Sequence, residues 1–199
     1  GRLRERYHKP SFVLTRGEEG VKGSGRSIES YSMYEKLCEC KEYLTKFGGH
    51  PMAAGLSLEE ENVERFRRKL NEQSGLTEED LVEKVTIDVP MPIHYIRKDL
   101  VQELSLLEPF GKGNEKPLFA QKNLWVSQMR VFGKNRNVVK MRLTDENGYP
   151  MDGVYFGNGD EFAEEGRGKR KISIVYYPDI NMYQGRESLQ VIIRHYQFD

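Results

Sequence analysis

The sequence predicts an α+β protein in two parts: a small mixed α/β domain followed by a small five-stranded β-barrel. Two observations carry this prediction. Apolar residues recur at the three-to-four spacing of a helix from Tyr31 to Phe47. After Pro117, apolar residues instead follow the alternation and turn-bounded runs that are typical of strands. A length of 199 residues allows two domains of this size.

The composition excludes some classes of function but does not identify one. Lys plus Arg and Asp plus Glu each number 31, so net charge argues neither for nor against a nucleic-acid partner. No apolar run approaches the ~20 residues of a membrane span, and we expect no membrane partner. Cys38 and Cys40 cannot complete a four-ligand zinc site and would lie on different faces of a helix. We therefore expect a reducing, cytoplasmic setting.

The first domain is predicted to begin within a helix. Residues 2–7 read as the last turns of a helix that lacks a capping residue, and a buried strand follows at residues 11–15. We therefore expect a truncated domain, excised from a longer protein. A later helix is predicted over residues 59–73, opened by a capping box of Ser57 and Glu60. Its basic residues are interpreted as a solvated face.

A first polar stretch, residues 17–28 (GEEGVKGSGRSI), is predicted to form a loop. Glycines allow close approach of the backbone to a ligand, hydroxyls donate hydrogen bonds, and a guanidinium can bind a phosphate with two parallel hydrogen bonds. The alternative is a surface loop with a solvated arginine. The candidate phosphate-binding residues are Ser24, Arg26 and Ser27.

A second polar stretch, residues 47–55 (FGGHPMAAG), is the chemically densest run of the chain. Gly48 and Gly49 are predicted to end the preceding helix, with His50 at the lip of a gap lined by small residues. Exposed backbone N–H groups beside a histidine suit an anion, and phosphate is the usual candidate. The alternative is a glycine-rich helix stop with a hydrogen-bonded turn histidine.

The second half is predicted to be mostly β. A strand over residues 84–91 and a short helix with Leu100, Val101, Leu104 and Leu107 on one face lead into a turn-rich connector. Five strands follow, with a helical or looping piece after the third at residues 160–165. This order fits an OB-fold, whose face binds single strands or oligosaccharides. The predicted strands are residues 118–132, 138–143, 151–156, 172–177 and 189–196.

A basic stripe is hidden by the balanced net charge. Residues 111–142 hold eight Lys or Arg and one acid, whereas residues 143–166 hold seven acids and no Lys or Arg. Aromatic residues interleave with the stripe, and charge combined with stacking is what single-strand binding requires. For Trp125 and Phe132 we favour the barrel core, while Tyr183 is expected to be exposed in a loop. The candidate binding residues are Lys134, Arg136, Lys140, Arg142, Tyr183 and Arg186.

Four motifs occur in an order that resembles the RecJ family of bacterial single-strand-specific 5′-to-3′ DNA exonucleases. They are KGSGRSI (residues 22–28), FGGHPMAAGLSL (47–58), LEPFGKGNEKPLF (107–119) and GRESLQVII (185–193). The first two resemble the DHH-associated domain, and the last two resemble the OB-type domain that follows it. The likeness covers essentially the whole chain. It implies a DHH-associated domain at residues 1–76, a linker at 77–117 and the OB-type barrel at 118–199.

The resemblance also implies roles for particular residues. Ser24, Arg26 and Ser27 would contact the terminal phosphate of the strand. His50 would contact a phosphate near the scissile bond in a supporting catalytic role, with Gly48 and Gly49 giving it room. The OB-type domain would lead single-stranded DNA toward that cleft. The family pattern before the last strand departs locally, since residues 181–185 read NMYQG, although the tyrosine can still stack.

Catalysis in this family requires an Asp-His-His motif and two manganese or magnesium ions. The chain has no such motif, and its four histidines are scattered: His8, His50, His94 and His195. We therefore expect no metal in this chain and no cleavage by it alone. The implied partners are single-stranded DNA and an N-terminal DHH catalytic domain, with a single-strand-binding protein or helicase as further candidates. The setting would be bacterial DNA repair and recombination, in the cytoplasm and at the nucleoid.

Two alternatives remain open. One is an RNA- or tRNA-binding accessory module, which would prefer folded tRNA to oligo-dT. The other is a protein-interaction module whose OB-type domain docks a single-strand-binding protein, which would show no affinity for oligonucleotides.

Overall fold

The computed structural model describes residues 1–18 and 20–199. They form two compact units, Gly1–Lys84 and Val85–Asp199. Residue 19, which belongs to the first polar stretch, lies outside the described residues. In the described part of the chain, no helix is long and apolar enough to cross a membrane.

The first unit contains an antiparallel sheet in the order β1-β2-β4-β3. One face of this sheet carries the alternating side chains Val21, Leu56 and Leu58, which are buried against the helices. Phe66 of the last helix is buried in the same core, as its apolar spacing predicts. The elements are α1 (Arg2–Tyr7), β1 (Ser11–Gly17), β2 (Gly20–Arg26), α2 (Met33–Glu39), β3 (Lys46–His50), β4 (Ala53–Leu58) and α3 (Val63–Glu72).

The helix predicted from Tyr31 to Phe47 is wrong in its second half. Helix α2 ends at Glu39, a 3₁₀ turn covers Lys41–Tyr43, and β3 begins at Lys46. The apolar residues late in this stretch reach the same core from a turn and a strand, because β3 pairs with β4. Gly48 and Gly49 therefore belong to a strand, and they do not end a helix.

Three smaller predictions are also wrong. The polar stretch around Ser24 is a strand rather than a loop, because β2 is hydrogen-bonded to β1 on one side and β4 on the other. Ser57 lies in β4, so it caps no helix, and α3 starts only at Val63 after a 3₁₀ turn. Of the strand predicted over residues 84–91, only β5 (Val89–Pro90) forms.

The second unit contains five strands that close on themselves. The sheet order is β5-β6-β7-β8-β10-β9, and an additional pairing of β6 with β9 completes a five-stranded ring. All five predicted strands are present, in the predicted order and with the helix after the third. The elements are α4 (Lys98–Ser105), β6 (Phe119–Phe132), β7 (Val138–Thr144), β8 (Pro150–Phe156), α5 (Gly159–Glu165), β9 (Lys171–Tyr183) and β10 (Arg186–Phe198).

The interior of the ring is filled by every second residue of its strands, as the period of two requires. Val139, Met141 and Leu143 of β7 point inward and are buried. Phe162 of α5 closes one part of this core by packing its ring on three aromatic side chains: Tyr155, Tyr196 and Phe198. Strands β9 and β10 extend to a two-residue turn, so Tyr183 lies at a strand end rather than in the predicted longer loop.

Candidate nucleic-acid interface

The register of the first sheet brings the two polar stretches together. Arg26 pairs with Ala53, which pairs with His50 on its other side, so the three form one row across β2, β4 and β3. Ser24 and Gly55 belong to the next row on the same face. We call this face, opposite the buried one, the open face of the sheet. The structure therefore places an arginine, a serine hydroxyl and a histidine on one exposed surface.

The glycines of these motifs fall into two groups. A Cβ added at Gly48 would meet no heavy atom within 4 Å, and one at Gly55 would meet only a carbonyl oxygen at 3.9 Å. By contrast, a Cβ at Gly25 would lie 2.7 Å from the Phe12 ring, and one at Gly49 would lie 2.6 Å from the Cα of Ala54. The second group is required by packing inside the sheet, whereas the first leaves an unobstructed floor on the open face.

The hairpin between β3 and β4 orients His50. The Met52 N–H donates to Nδ1 of His50 at 3.3 Å. In the neutral ring the proton then resides on Nε2, which leaves that nitrogen as a hydrogen-bond donor. Two further backbone bonds hold the turn, from the Ser27 N–H to the Met52 carbonyl at 2.9 Å and from the Met33 N–H to the Pro51 carbonyl at 2.9 Å.

Ser27 lies apart from the other candidates. Its residue is 1% exposed, and its hydroxyl donates to the carbonyl oxygen of Tyr31. The side chain therefore stabilises the turn that follows β2. Ser24 and Arg26, by contrast, are exposed.

Sequence reasoning missed two further arginines near this surface. Arg2 and Arg4 of α1 line a cavity of about 300 Å³ together with Ser24 and Arg26. The available signal is the charge of residues 2–6 (RLRER), a stretch whose apolar spacing indicates only the end of a helix. The strand register alone could not reveal it, because α1 lies outside the sheet.

The outer face of the ring carries part of the basic stripe. Arg130 pairs with Lys140 across β6 and β7, and Arg142 lies one row further along β7. Arg142 also forms an ion pair with Asp152 of β8. In the turn between β6 and β7, Lys134 is exposed, and Arg136 forms an ion pair of 2.6 Å with Asp160. The hydrogen bond and the charge of Asp160 raise the pKa of Arg136.

The aromatic residues divide differently from our expectation. Trp125 and Phe132, which we assigned to the core, are 46% and 45% exposed on the outer face. Both lie in β6 next to residues whose side chains face inward. Of the aromatic residues that interleave with the basic stripe, Tyr176 is fully buried in the core of the ring. Tyr183 is exposed as expected, at 66%, and lies opposite Arg186 at the tip of the β9–β10 hairpin.

Among residues 1–18 and 20–199, no group of three or more His, Cys, Asp or Glu side chains is arranged to hold a metal ion. The Nδ1 atom of His94 lies 2.7 Å from a carboxylate oxygen of the buried Asp145. That carboxylate also accepts two backbone N–H groups of its own turn, so the pair stabilises the β7–β8 connection.

Comparison with known proteins agrees with both units. Residues 1–75 match the family described as the DHHA1 domain, and residues 87–195 match the family described as the RecJ OB domain. The single-stranded-DNA-specific exonuclease RecJ of Bacillus subtilis (strain 168) is 38% identical over 199 residues, which is 97% of this chain and 25% of that protein. Its counterpart in Escherichia coli (strain K12) is 33% identical over 96% of this chain and 34% of its own length.

The fold has a solved counterpart. The crystal structure of RecJ from Thermus thermophilus in complex with Mg²⁺ superimposes with a TM-score of 0.79 at 24% identity, covering 98% of this chain and 29% of that one. The chain spans about a quarter to a third of the length of these relatives. Because the RecJ OB domain alone accounts for more than half of its residues, the chain belongs to the RecJ family.

Proposed function

We propose that this chain is the C-terminal, DNA-handling part of a RecJ-type 5′-to-3′ single-strand exonuclease. The observation that carries the proposal is the row in which Arg26 and His50, from two separate sequence motifs, face the same open surface. In the proposal, Arg26 and Ser24 bind the terminal phosphate, and the Nε2–H of His50 donates to a phosphate near the scissile bond.

The ring would hold the strand that leads to this site. Lys140 and Arg142 lie on its outer face beside exposed aromatic rings, and such a surface binds single strands through charge and stacking. Lys134, Arg136, Tyr183 and Arg186 would extend the surface at the two hairpin turns. We assign these residues to binding, and we expect the chain alone to bind without cleaving.

Chemistry would come from a DHH catalytic domain, which is a partner in this proposal. Manganese or magnesium ions held by that domain would supply the activation of water for attack on the phosphodiester. This chain's own contribution is to bind and orient the strand. A single-strand-binding protein or a helicase is a further candidate partner for the ring.

The test is fluorescence anisotropy with a labelled, 5′-phosphorylated oligo-dT at several salt concentrations. Variants are Arg26→Ala and Lys140→Ala/Arg142→Ala. The Arg65→Ala/Arg68→Ala variant is a charge-matched control, because both arginines are exposed on α3. Each lost phosphate contact should lower the salt slope, log K against log salt, by about 0.7. By the same relation, we expect a reduction of roughly 1.4 for the ring double variant, and none for the control.

Three outcomes would contradict the proposal in different ways. Equal losses in the ring variant and the α3 control would indicate that only net charge matters. Preference for a folded tRNA over the oligonucleotide would favour the RNA-binding alternative. Absence of oligonucleotide binding at low salt, together with salt-insensitive binding of a single-strand-binding protein, would favour a protein-interaction module.

A further inference from the structure

The outer face of the ring holds a cavity of about 270 Å³ between two kinds of side chain. On the β6–β7 side it is lined by the cations Arg130, Lys140 and Arg142. Gln128 of β6 lines the same side. On the remaining sides the polar lining is Asp152 of β8, whose carboxylate is ion-paired with Arg142, and the uncharged side chains Asn181, Ser188 and Gln190. Charge and stacking suffice for sequence-independent binding, whereas amide side chains are among the groups that bind base edges. The cavity therefore has more hydrogen-bonding capacity than backbone binding needs.

The amide of Gln190 has a fixed orientation. Its Nε2 donates to a carboxylate oxygen of Asp179 at 2.8 Å. Because a carboxylate only accepts hydrogen bonds, the nitrogen must face Asp179, and the remaining polar atom of the side chain is the carbonyl oxygen Oε1. Gln190 therefore offers an acceptor to a ligand in the cavity.

The backbone of β6 is irregular where it meets the same cavity. The pairing of β6 with β7 shifts register between Ser127 and Arg130, and Gln128 in that bulge has φ of 52°. A bulge re-aims side chains on the strand that carries it, and a positive φ is unfavourable for glutamine. The floor of the cavity is apolar at Val154, which is 3% exposed, and the ring of Phe132 stands at its edge. A flat, partly apolar group with polar edges fits these walls.

We propose that this cavity binds one nucleobase of the strand and prefers bases with an exocyclic amine, cytosine or adenine, to thymine. The N4 amine of cytosine and the N6 amine of adenine can donate to Oε1 of Gln190, whereas thymine presents the acceptor O4 at the corresponding position. The cations on the β6–β7 side would bind the flanking phosphates. The inference rests on the proposed single-strand binding and adds a base preference to it.

The experiment compares oligo-dC, oligo-5-methyl-dC and oligo-dT of equal length in competition anisotropy at one salt concentration. The methylated oligonucleotide controls for the methyl group of thymine. The protein variants are Gln190→Met, which removes the acceptor at similar volume, and Gln102→Met, a matched control at an exposed position of α4. Wild type should bind both cytosine oligonucleotides roughly three- to tenfold more tightly than oligo-dT, the effect of one hydrogen bond.

Gln190→Met should remove that difference by weakening cytosine binding while leaving oligo-dT binding unchanged, and Gln102→Met should retain it. Equal binding of dC and dT by wild type would overturn the base preference and leave single-strand binding intact. A preference that survives in Gln190→Met would overturn the assignment of the base site to this cavity. If wild type binds none of the oligonucleotides, the proposed function fails and the base preference fails with it.

Discussion

Two adjacent glycines in β3 should respond to the same substitution in opposite ways. At Gly49, a Cβ would lie 2.6 Å from the Cα of Ala54 and would collide with the carbonyl oxygen of Ala53, and φ is 153°. At Gly48, a Cβ would have no heavy atom within 4 Å. Gly49→Ala should therefore disrupt the β3–β4 pairing, whereas Gly48→Ala should leave the fold intact.

The magnitudes follow from the geometry. Overpacking against backbone atoms costs about 1–3 kcal/mol, and a disfavoured φ costs a further ~1–3 kcal/mol. Gly49→Ala should thus lower the free energy of unfolding of the first unit by roughly 2–6 kcal/mol, a large part of the ~5–15 kcal/mol that a domain has. Gly48→Ala should change it by less than about 1 kcal/mol, because the alanine also restricts the unfolded chain.

The two cysteines provide an assay specific to the first unit. Cys40 is 1% exposed in its core, and burial raises the pKa of its thiol to about 11. Cys38 is exposed, so a Cys38→Ser background leaves one thiol that reacts with a thiol reagent only after the unit opens. The labelling rate should rise about thirtyfold or more for Gly49→Ala, since ~1.4 kcal/mol is tenfold. Fluorescence of Trp125, in the other unit, should report an unchanged urea transition.

A second readout separates fold from function. Gly48→Ala should label as slowly as wild type and still bind the 5′-phosphorylated oligonucleotide more weakly, because the new methyl group stands on the open face. Equal labelling rates in the two glycine variants would refute the packing argument. Unchanged oligonucleotide affinity in Gly48→Ala would show that no ligand approaches that position.

Three further predictions concern the ring unit. Asp145→Ala should lower the free energy of unfolding of the ring unit by roughly 2–3 kcal/mol, because two turn N–H groups and His94 lose their acceptor. As a control, Asp152→Ala at an exposed position should lower the free energy of unfolding by less than about 1 kcal/mol in the same urea titration. Burial acts to raise the pKa of Asp145, but the hydrogen bonds from its turn N–H groups and from His94 hold it below the ordinary value. Such a carboxylate stabilises the fold above its unfolded pKa of about 3.9, and the contribution is lost as pH falls through the lower folded pKa. The urea midpoint of wild type should therefore decline below about pH 4 more steeply than that of Asp145→Ala. If the indole of Trp125 stacks on a base, Trp125→Ala should reduce the affinity for the oligonucleotide by about 1–3 kcal/mol. The tryptophan fluorescence of wild type should then also change when the oligonucleotide binds. Neither effect is expected if the single strand follows another face of the five-stranded ring.

The sequence predicted the five ring strands from short apolar runs bounded by turn residues and, in some strands, from alternation of apolar and polar residues. In β7, for example, Val139, Met141 and Leu143 face inward, and Lys140 and Arg142 face outward. The prediction of burial was wrong for Trp125 and Phe132. Their hydrophobicity favours the core, whereas their position in the alternation of β6 places them on the outer face. At these two positions residue type predicts burial and the alternation of the strand predicts exposure, and the structure follows the alternation.

The open face of the first sheet could not be read from either polar stretch alone. Glycine-rich sequence suggested a loop and a helix stop, because glycine is unfavourable in strands. In β2, Gly23 and Gly25 face the core side, where a Cβ on either would overlap Leu14 or Phe12, so the strand needs glycine there to pack. Their neighbours Ser24 and Arg26 must then face the opposite side, since successive residues alternate.

The same alternation of side chains in β3 determines which of its residues lie on the open face. Gly49 pairs with the buried Ala54, and this register places Gly48 and His50 on the open face. Because β4 pairs with both strands, the register that packs the core also sets Arg26 and His50 in a single row. A one-residue slip of either strand would turn these side chains into the core. One register therefore specifies both the packed core and the open face that we propose to bind phosphate, and a variant that loosens the packing should also lose that binding.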